Sequence, residues 1–358
     1  MTPRLTVSIL STMDPVIRAA VSFSVALERS DTVVVHHDLV GDEIRRVVSD
    51  SSGIIEQDAT TLEHACLGCA IREDLTPTLE RLQMLGRWST VLVALPVTAE
   101  SAPVTRAIDM ARAPGGSLNG VRLGTVMCAV DADTIAEDAF SSDFLHDRGL
   151  ALVEDDYRVV AEAVAPMLAH ADVVALVCDG SPSASASATV DHLRGRGSHV
   201  LSMAAEVLDG DVVARAQHRC ERALGRIDPL RLERNVARDR DGIWSVELKS
   251  AKPFHPGRLR ERLADLGSHN VRARGHFWVP TRPDNPCAWD AAGRQVSVGS
   301  LEGWESQRPG TRIVFTGRGP ERDVIAQAFR ACLIRDDERS QDWSHGDDLS
   351  DWLGPVER

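Results

Sequence analysis

The chain has 358 residues, a hydrophobic fraction of 43%, a charged fraction of 26% and a formal net charge of -13. That length exceeds one small domain and suits two, on a scale of roughly 150 residues each. The acidic balance argues against wrapping free nucleic acid, because phosphate affinity needs an electropositive surface, and no apolar run approaches the ~20 residues of a membrane span. Met1-Thr2-Pro3-Arg4-Leu5 lacks the pattern of a signal peptide. Seven cysteines with one close pair fit a reducing, cytoplasmic setting better than a disulfide framework.

Residues 5–10 read as a first buried strand. Asp14-Pro15 predicts a helix start, with Asp14 as N-cap and Pro15 at the first helical position. Val16, Ala20, Phe23 and Leu27 follow at helical spacing. Further strands are predicted at 32–36, 91–95, 125–130 and 173–177, and helices at 76–85 and 155–170. Such β-branched runs alternating with helices imply a mostly parallel sheet covered on both faces, a doubly wound α/β fold. Ser181 to Ser187 reads as a loop or a frayed helix start.

The chain then becomes arginine-rich, with a helix expected around 212–224. The expected divisions are 1–203 for the α/β domain, 204–241 for a charged helical linker, 242–334 for a smaller α+β domain and 335–358 for an acidic tail. The third division carries predicted strands at 243–248, 276–279, 295–298 and 311–316, with helices at 256–266 and 323–332. Trp343 and Trp352 are candidate anchors of the tail.

One stretch concentrates chemistry: Glu63-His64-Ala65-Cys66-Leu67-Gly68-Cys69-Ala70-Ile71-Arg72-Glu73-Asp74-Leu75. Two thiols separated by two residues are the commonest way to offer soft ligands to zinc from one turn. Three readings stand for Cys66 and Cys69: zinc ligation with His64 as third ligand, two thiols packed behind a strand end, or thiol redox chemistry. His36 and His37 are candidate further ligands or a polar strand terminus. Arg258, Arg260, Arg262, Arg272 and Arg274 form a basic cluster in sequence, a solvated face or a docking patch for ribosomal RNA or an acidic partner.

Cys66-Leu67-Gly68-Cys69-Ala70-Ile71-Arg72-Glu73-Asp74-Leu75, the later Lys252-Pro253-Phe254-His255-Pro256-Gly257-Arg258-Leu259, and Val271-Arg272-Ala273-Arg274-Gly275-His276-Phe277-Trp278 together resemble the CobW-type P-loop GTPases. Trp289-Asp290-Ala291-Ala292-Gly293 continues the likeness, which spans nearly the whole chain. The resemblance implies a GTPase-like α/β domain followed by a CobW C-terminal-like domain, and a link to zinc homeostasis.

The departures bear on mechanism. A working P-loop reads G-x-x-x-x-G-K-[ST], whose backbone amides cradle phosphates. Here the turn is Ser11-Thr12-Met13-Asp14-Pro15-Val16-Ile17-Arg18, without glycine or a Lys-Ser/Thr pair. Ser11, Thr12, Asp14 and Arg18 are what remains of a cofactor-binding turn, and Asp14 occupies the place of an anion at a helix N-terminus. The family's acidic position falls at Leu95-Pro96, and its Asn-Lys-x-Asp motif at Val177-Cys178-Asp179-Gly180. Three nucleotide motifs are degraded together, so GTP is not expected as a cofactor and catalysis is assigned to no residue. The family's C-x-C-C element has Gly68 in place of its middle cysteine. This set resembles the branch that recruits a hibernation factor to ribosomes when zinc is scarce. The implied partners are that factor or the ribosome; the alternative is a zinc metallochaperone GTPase serving a zinc-requiring client.

Overall fold

The computed structural model describes residues 5–62, 66–204, 210–215, 218–232, 237–304 and 308–355. Eight strands form the first sheet: β1 (Leu5–Thr12), β2 (Thr32–Val40), β3 (Glu43–Asp50), β4 (Gly53–Thr61), β5 (Thr90–Ala94), β6 (Val121–Asp131), β7 (Val173–Val177) and β8 (His199–Met203). Their order is β4-β3-β2-β5-β1-β6-β7-β8. From β2 to β8 every neighbouring pair is parallel, whereas β3 and β4 are added antiparallel. This is the doubly wound, mostly parallel α/β sheet expected from the strand runs.

Between and after these strands lie α1 (Pro15–Glu28), α2 (Leu67–Ala70), α3 (Thr76–Leu85), α4 (Ser101–Ala111), α5 (Ile135–Asp138), α6 (Val160–His170), α7 (Ala184–Leu193), α8 (Asp211–Ala214) and α9 (Cys220–Ile227). Strand β1 is buried throughout, as a central parallel strand must be. Its Leu5, Val7 and Ile9 join Leu79, Val104 and Ile108 of α3 and α4 on one face. Leu10 joins Ile17, Val21 and Val25 of α1 on the other. Each such side chain contributes roughly 1.5–3 kcal/mol when fully buried.

Several local expectations need correction. Helix α1 turns Ile17, Val21 and Val25 inward and leaves Val16, Phe23 and Leu27 exposed, because two apolar stripes compete on that helix and the sheet takes the tighter one. The hairpin β3–β4 was missed, since both strands are largely polar; a two-residue turn with Gly41 at φ +62° joins β2 to β3. Helix α6 starts at Val160, not 155, and the helix expected over 212–224 is two short ones, α8 and α9. Ser183 caps α7 by accepting from Ala186 N (3.1 Å).

The second sheet is antiparallel, with order β12-β11-β10-β13-β9. Its strands are β9 (Ile243–Ser250), β10 (Val271–Phe277), β11 (Cys287–Ala292), β12 (Gln295–Ser300) and β13 (Thr311–Arg318). Helices α10 (Pro256–Gly267) and α11 (Arg322–Cys332) pack on it over Phe254, Phe277, Trp289 and Phe315. The strand expected at 276–279 lies instead at the end of β10, and β11 was not foreseen. The tail is pinned by α12 (Ser350–Leu353), whose Leu353 enters this core, and by the buried Arg282–Asp347 ion pair at 3.0 Å. Trp352 packs against the same core and Trp343 stands edge-on to His255.

Candidate functional site

The connection from β1 to α1 is two residues, Met13 and Asp14. Pro15 has no N–H to offer. The next two amides, of Val16 and Ile17, donate to Asp14 Oδ1 at 2.6 and 3.0 Å. Arg18 N donates to Asp14 O at 2.9 Å. The amides of Val16, Ile17 and Arg18, which would face an anion at this helix start, are therefore satisfied from within the chain. Thr12 Oγ1 accepts from Asp14 N (3.1 Å), and the buried Ser11 donates to Met127 O (3.3 Å).

Arg18, the last residue of that turn motif, lies largely buried against the strand ends. Its side chain is 12% exposed; it donates to His37 O (3.3 Å) and Leu95 O (3.1 Å) and pairs with Asp38 at 2.7 Å. It ties the carboxyl ends of β2 and β5 together. His36 stands nearby, its pKa lowered to about 4 by burial first and then by the Arg18 charge.

A cleft of about 220 Å³ adjoins this turn, with Asp14, Asp131, Asp138 and Arg148 in its lining. Arg148 is engaged by Asp138 and Asp143, each at 2.7 Å. The carboxylates outnumber the cation, so the cleft repels phosphate rather than holding it. The residues present do not fit a magnesium nucleotide: the cradle, the lysine and the metal-holding hydroxyl are absent from the turn.

The cysteine turn is built differently. Cys66 caps α2, its Sγ accepting from Cys69 N at 3.3 Å. Cys66 is exposed and Cys69 buried, so the two sulfurs sit on one turn at different depths. A Cβ placed on Gly68 would lie 3.8 Å from Cys66 Sγ, an ordinary contact. His64 lies outside the described residues. Among the described residues no group of three or more His, Cys, Asp or Glu is arranged to hold a metal. Cys66 and Cys69 thus supply two soft donors of the four that a closed zinc site takes.

What positions this turn is a carboxylate to which the sequence pattern assigns no role. Residues Ile71–Leu75 form a π-bulge between α2 and α3, a device that re-aims side chains. It carries Asp74 into the interior, 3% exposed. Asp74 Oδ1 lies 2.6 Å from His37 Nε2, and its Oδ2 accepts from Arg46. Arg46 also reaches Glu56 (2.5 Å) and Asp58 (3.0 Å). Burial opposes the Arg46 charge, but Glu56, Asp74 and Asp58 outweigh it and hold its pKa above the ordinary arginine value. The cysteine turn is thereby tied to β2, β3 and β4. His37 serves this network inside the protein.

The remaining candidates are structural. Cys128, Cys220, Cys287 and Cys332 are buried in the cores; burial pushes the thiols of Cys128 and Cys287 up to about 12. His255 caps α10, accepting from Arg258 N. Four of the five arginines of the predicted basic cluster, all but Arg274, are engaged by the acidic tail and nearby carboxylates. Arg258 forks onto Glu338 (2.7 and 2.8 Å), Arg260 bonds Asp348 O, Arg262 faces Asp265 at 3.6 Å, and Arg272 binds Asp290.

Residues 243–333 match the family model of the cobalamin synthesis protein cobW C-terminal domain. A zinc chaperone of Mycobacterium tuberculosis is 26% identical over 371 residues, which cover 91% of this chain and 88% of that protein. The zinc-regulated GTPase metalloprotein activator 1 of Dictyostelium discoideum is 20% identical over 257 residues, 68% of this chain and 54% of its own. Among solved structures, the zinc-bound YjiA GTPase of E. coli shares 14% identity with a TM-score of 0.39, covering 93% of this chain and 100% of that one. No helix among the described residues is long and apolar enough to cross a membrane. The chain thus matches the cobW C-terminal domain over residues 243–333, and along nine-tenths of its length it is similar to a protein named a zinc chaperone.

Proposed function

We propose that this chain is a zinc-linked CobW-type protein that works without nucleotide turnover, by binding other proteins. The observation that carries the reading is the two-residue β1–α1 turn, whose helix amides are taken by Asp14. A cradle short in length as well as in sequence leaves no place for a triphosphate at this turn. The zinc link draws on the relatives, one named a zinc chaperone and one a zinc-regulated activator. It also draws on the two soft donors of one turn. In this reading zinc sits on Cys66 and Cys69 with His64 as third ligand, and its arrival changes the charge and shape of an exposed surface.

The finer reading is a cytoplasmic scaffold that recruits a hibernation factor to ribosomes under zinc limitation. A second reading, favoured by the relatives' names, is a metallochaperone GTPase that delivers zinc to a client. Phosphate release by the purified protein with GTP and Mg²⁺ separates them: no turnover is expected, whereas turnover would restore the metallochaperone. Zinc content should fall in the Cys66→Ser, Cys69→Ser protein; unchanged content moves the metal elsewhere. Sedimentation on sucrose gradients at low zinc should find the chain with ribosomes, and absence from those fractions at every zinc level would end the recruiter reading.

A further inference from the structure

A second region of this acidic protein has the opposite charge. A groove of about 520 Å³ is lined, among the described residues, by seven arginines and a single carboxylate, Glu221. It is framed by the turn after α7, by α9 and by β10 of the second sheet. Three of its arginines are tied down. Arg194 holds Asp191 (3.2 Å) and Ser198 O (2.6 Å). Arg226 holds Asp172 (3.4 Å) and the carbonyls of His170 and Ala171, and Arg231 faces Asp228 at 3.5 Å. Arg219, Arg222 and Arg274 have no carboxylate within ion-pair distance among the described residues.

The surroundings are shaped for these side chains. A Cβ on Gly197, which sits at φ +76°, would come 2.4 Å from a guanidinium nitrogen of Arg222. One on Gly195 would come 2.6 Å from Arg226 Cδ. The turn between α7 and β8 is thus bare where two arginines of α9 lie against it. Arg274 is held at a cost: burial, and then the neighbouring Arg272 charge, lower its pKa to about 10, and the nearby Asp290 is already bound to Arg272. Gathered like charges raise one another's energy, and an anion among them relieves it.

We propose that this groove binds a small ligand bearing two or more adjacent phosphate groups. The guanidinium fork matches phosphate oxygens in pairs, and the volume falls in the range of small-molecule sites. No aromatic side chain lines the groove among the described residues, so nothing there stacks a base. A net charge of -13 opposes a long polyanion while leaving a compact one free to enter a local positive field. The site is separate from the carboxylate-lined cleft at the β1–α1 turn.

Full-length protein is titrated with inorganic tripolyphosphate in magnesium-free, low-salt buffer, alongside oligoglutamate of matched charge and a short single-stranded RNA. Binding is expected for tripolyphosphate, weakening with salt and by tenfold or more in Arg219→Gln and in Arg222→Gln. Both side chains are exposed, so circular dichroism and melting should match the parent. The proposal is overturned by absence of tripolyphosphate binding or by equal affinity in both variants. Oligoglutamate binding as tightly, or RNA binding while tripolyphosphate does not, overturns it too. Heat with GTP that Arg222→Gln abolishes belongs to this groove; heat that survives belongs to the β1–α1 cleft and counts against the non-nucleotide reading instead.

Discussion

Two helix starts in the first domain use the same device with different atoms. At α1 the cap is the Asp14 carboxylate, which takes two amides. At α2 it is the Cys66 sulfur, which takes one. An oxygen cap of this kind closes a site: it supplies the anion that the helix start favours and leaves nothing for a ligand. A sulfur cap leaves one open, because the atom that accepts the N–H is itself a soft donor for a metal. The same local geometry thus closes one helix start to a ligand and leaves a soft donor at the other.

The difference extends to what holds each turn. The cap of α1 is closed locally, by Asp14 and the amides two and three positions on. The cysteine turn depends on Asp74, whose partners Arg46 and His37 come from two strands of the sheet. Asp74→Ala should therefore have the largest effect. It leaves a buried guanidinium with Glu56 and Asp58 only, at a cost of about 3 kcal/mol, read as a lower urea midpoint. A midpoint within experimental error of the parent would mean that the cysteine turn is as self-contained as the α1 turn.

Gly68→Cys sharpens the contrast from the other side. The position has ordinary room beside Cys66 Sγ, so a third thiolate joins the turn without displacing its neighbours. Zinc affinity measured by chelator competition should rise about tenfold or more, ~1.4 kcal/mol. An unchanged affinity would show that the metal, if bound, is not on this turn.

A pH series probes the α1 side. His36 has its folded pKa lowered to about 4 by burial and Arg18. Below the unfolded value of about 6.5, the unfolded chain takes up a proton that the folded chain refuses. Stability falls as pH drops from 6.5 towards 4, and it is unaffected above 6.5. The slope from this residue is at most ~1.4 kcal/mol per pH unit. His170, lowered to about 3 by burial and His218, adds in the same direction. His36→Gln should flatten the acid limb of the urea midpoint by up to one proton; an unaltered limb would mean that His36 is protonated in the fold.

These two turns also mark how far the sequence reaches. Asp14 as N-cap was legible because a cap is decided by three consecutive residues. The buried face of α1 was not, since Val16, Phe23 and Leu27 recur at helical spacing just as Ile17, Val21 and Val25 do, and only the sheet chooses between them. The parallel strands announced themselves as β-branched runs, whereas β3 and β4 are polar strands whose pairing depends on β2. Asp74 stood inside the quoted cysteine stretch, but its partners lie 28 and 37 positions away, beyond any local pattern. The arginines of α10 looked like one patch because they are near in sequence; folding spends them on the acidic tail and on nearby carboxylates. The arginines that do gather come from separated segments.

The smallest effect is expected from Asp14→Asn, and it decides what kind of loss the α1 turn records. Asparagine caps about as well as aspartate, so stability should change by no more than a few tenths of a kcal/mol. The substitution removes the negative charge that repels phosphate while leaving the turn at two residues and its amides occupied. If charge alone closed the site, GTP should give the variant binding in calorimetry beyond that of the parent. If geometry closed it, the variant should match the parent, and that match is expected. A carboxylate is one substitution away from being removed, but a cradle needs residues that this turn does not contain.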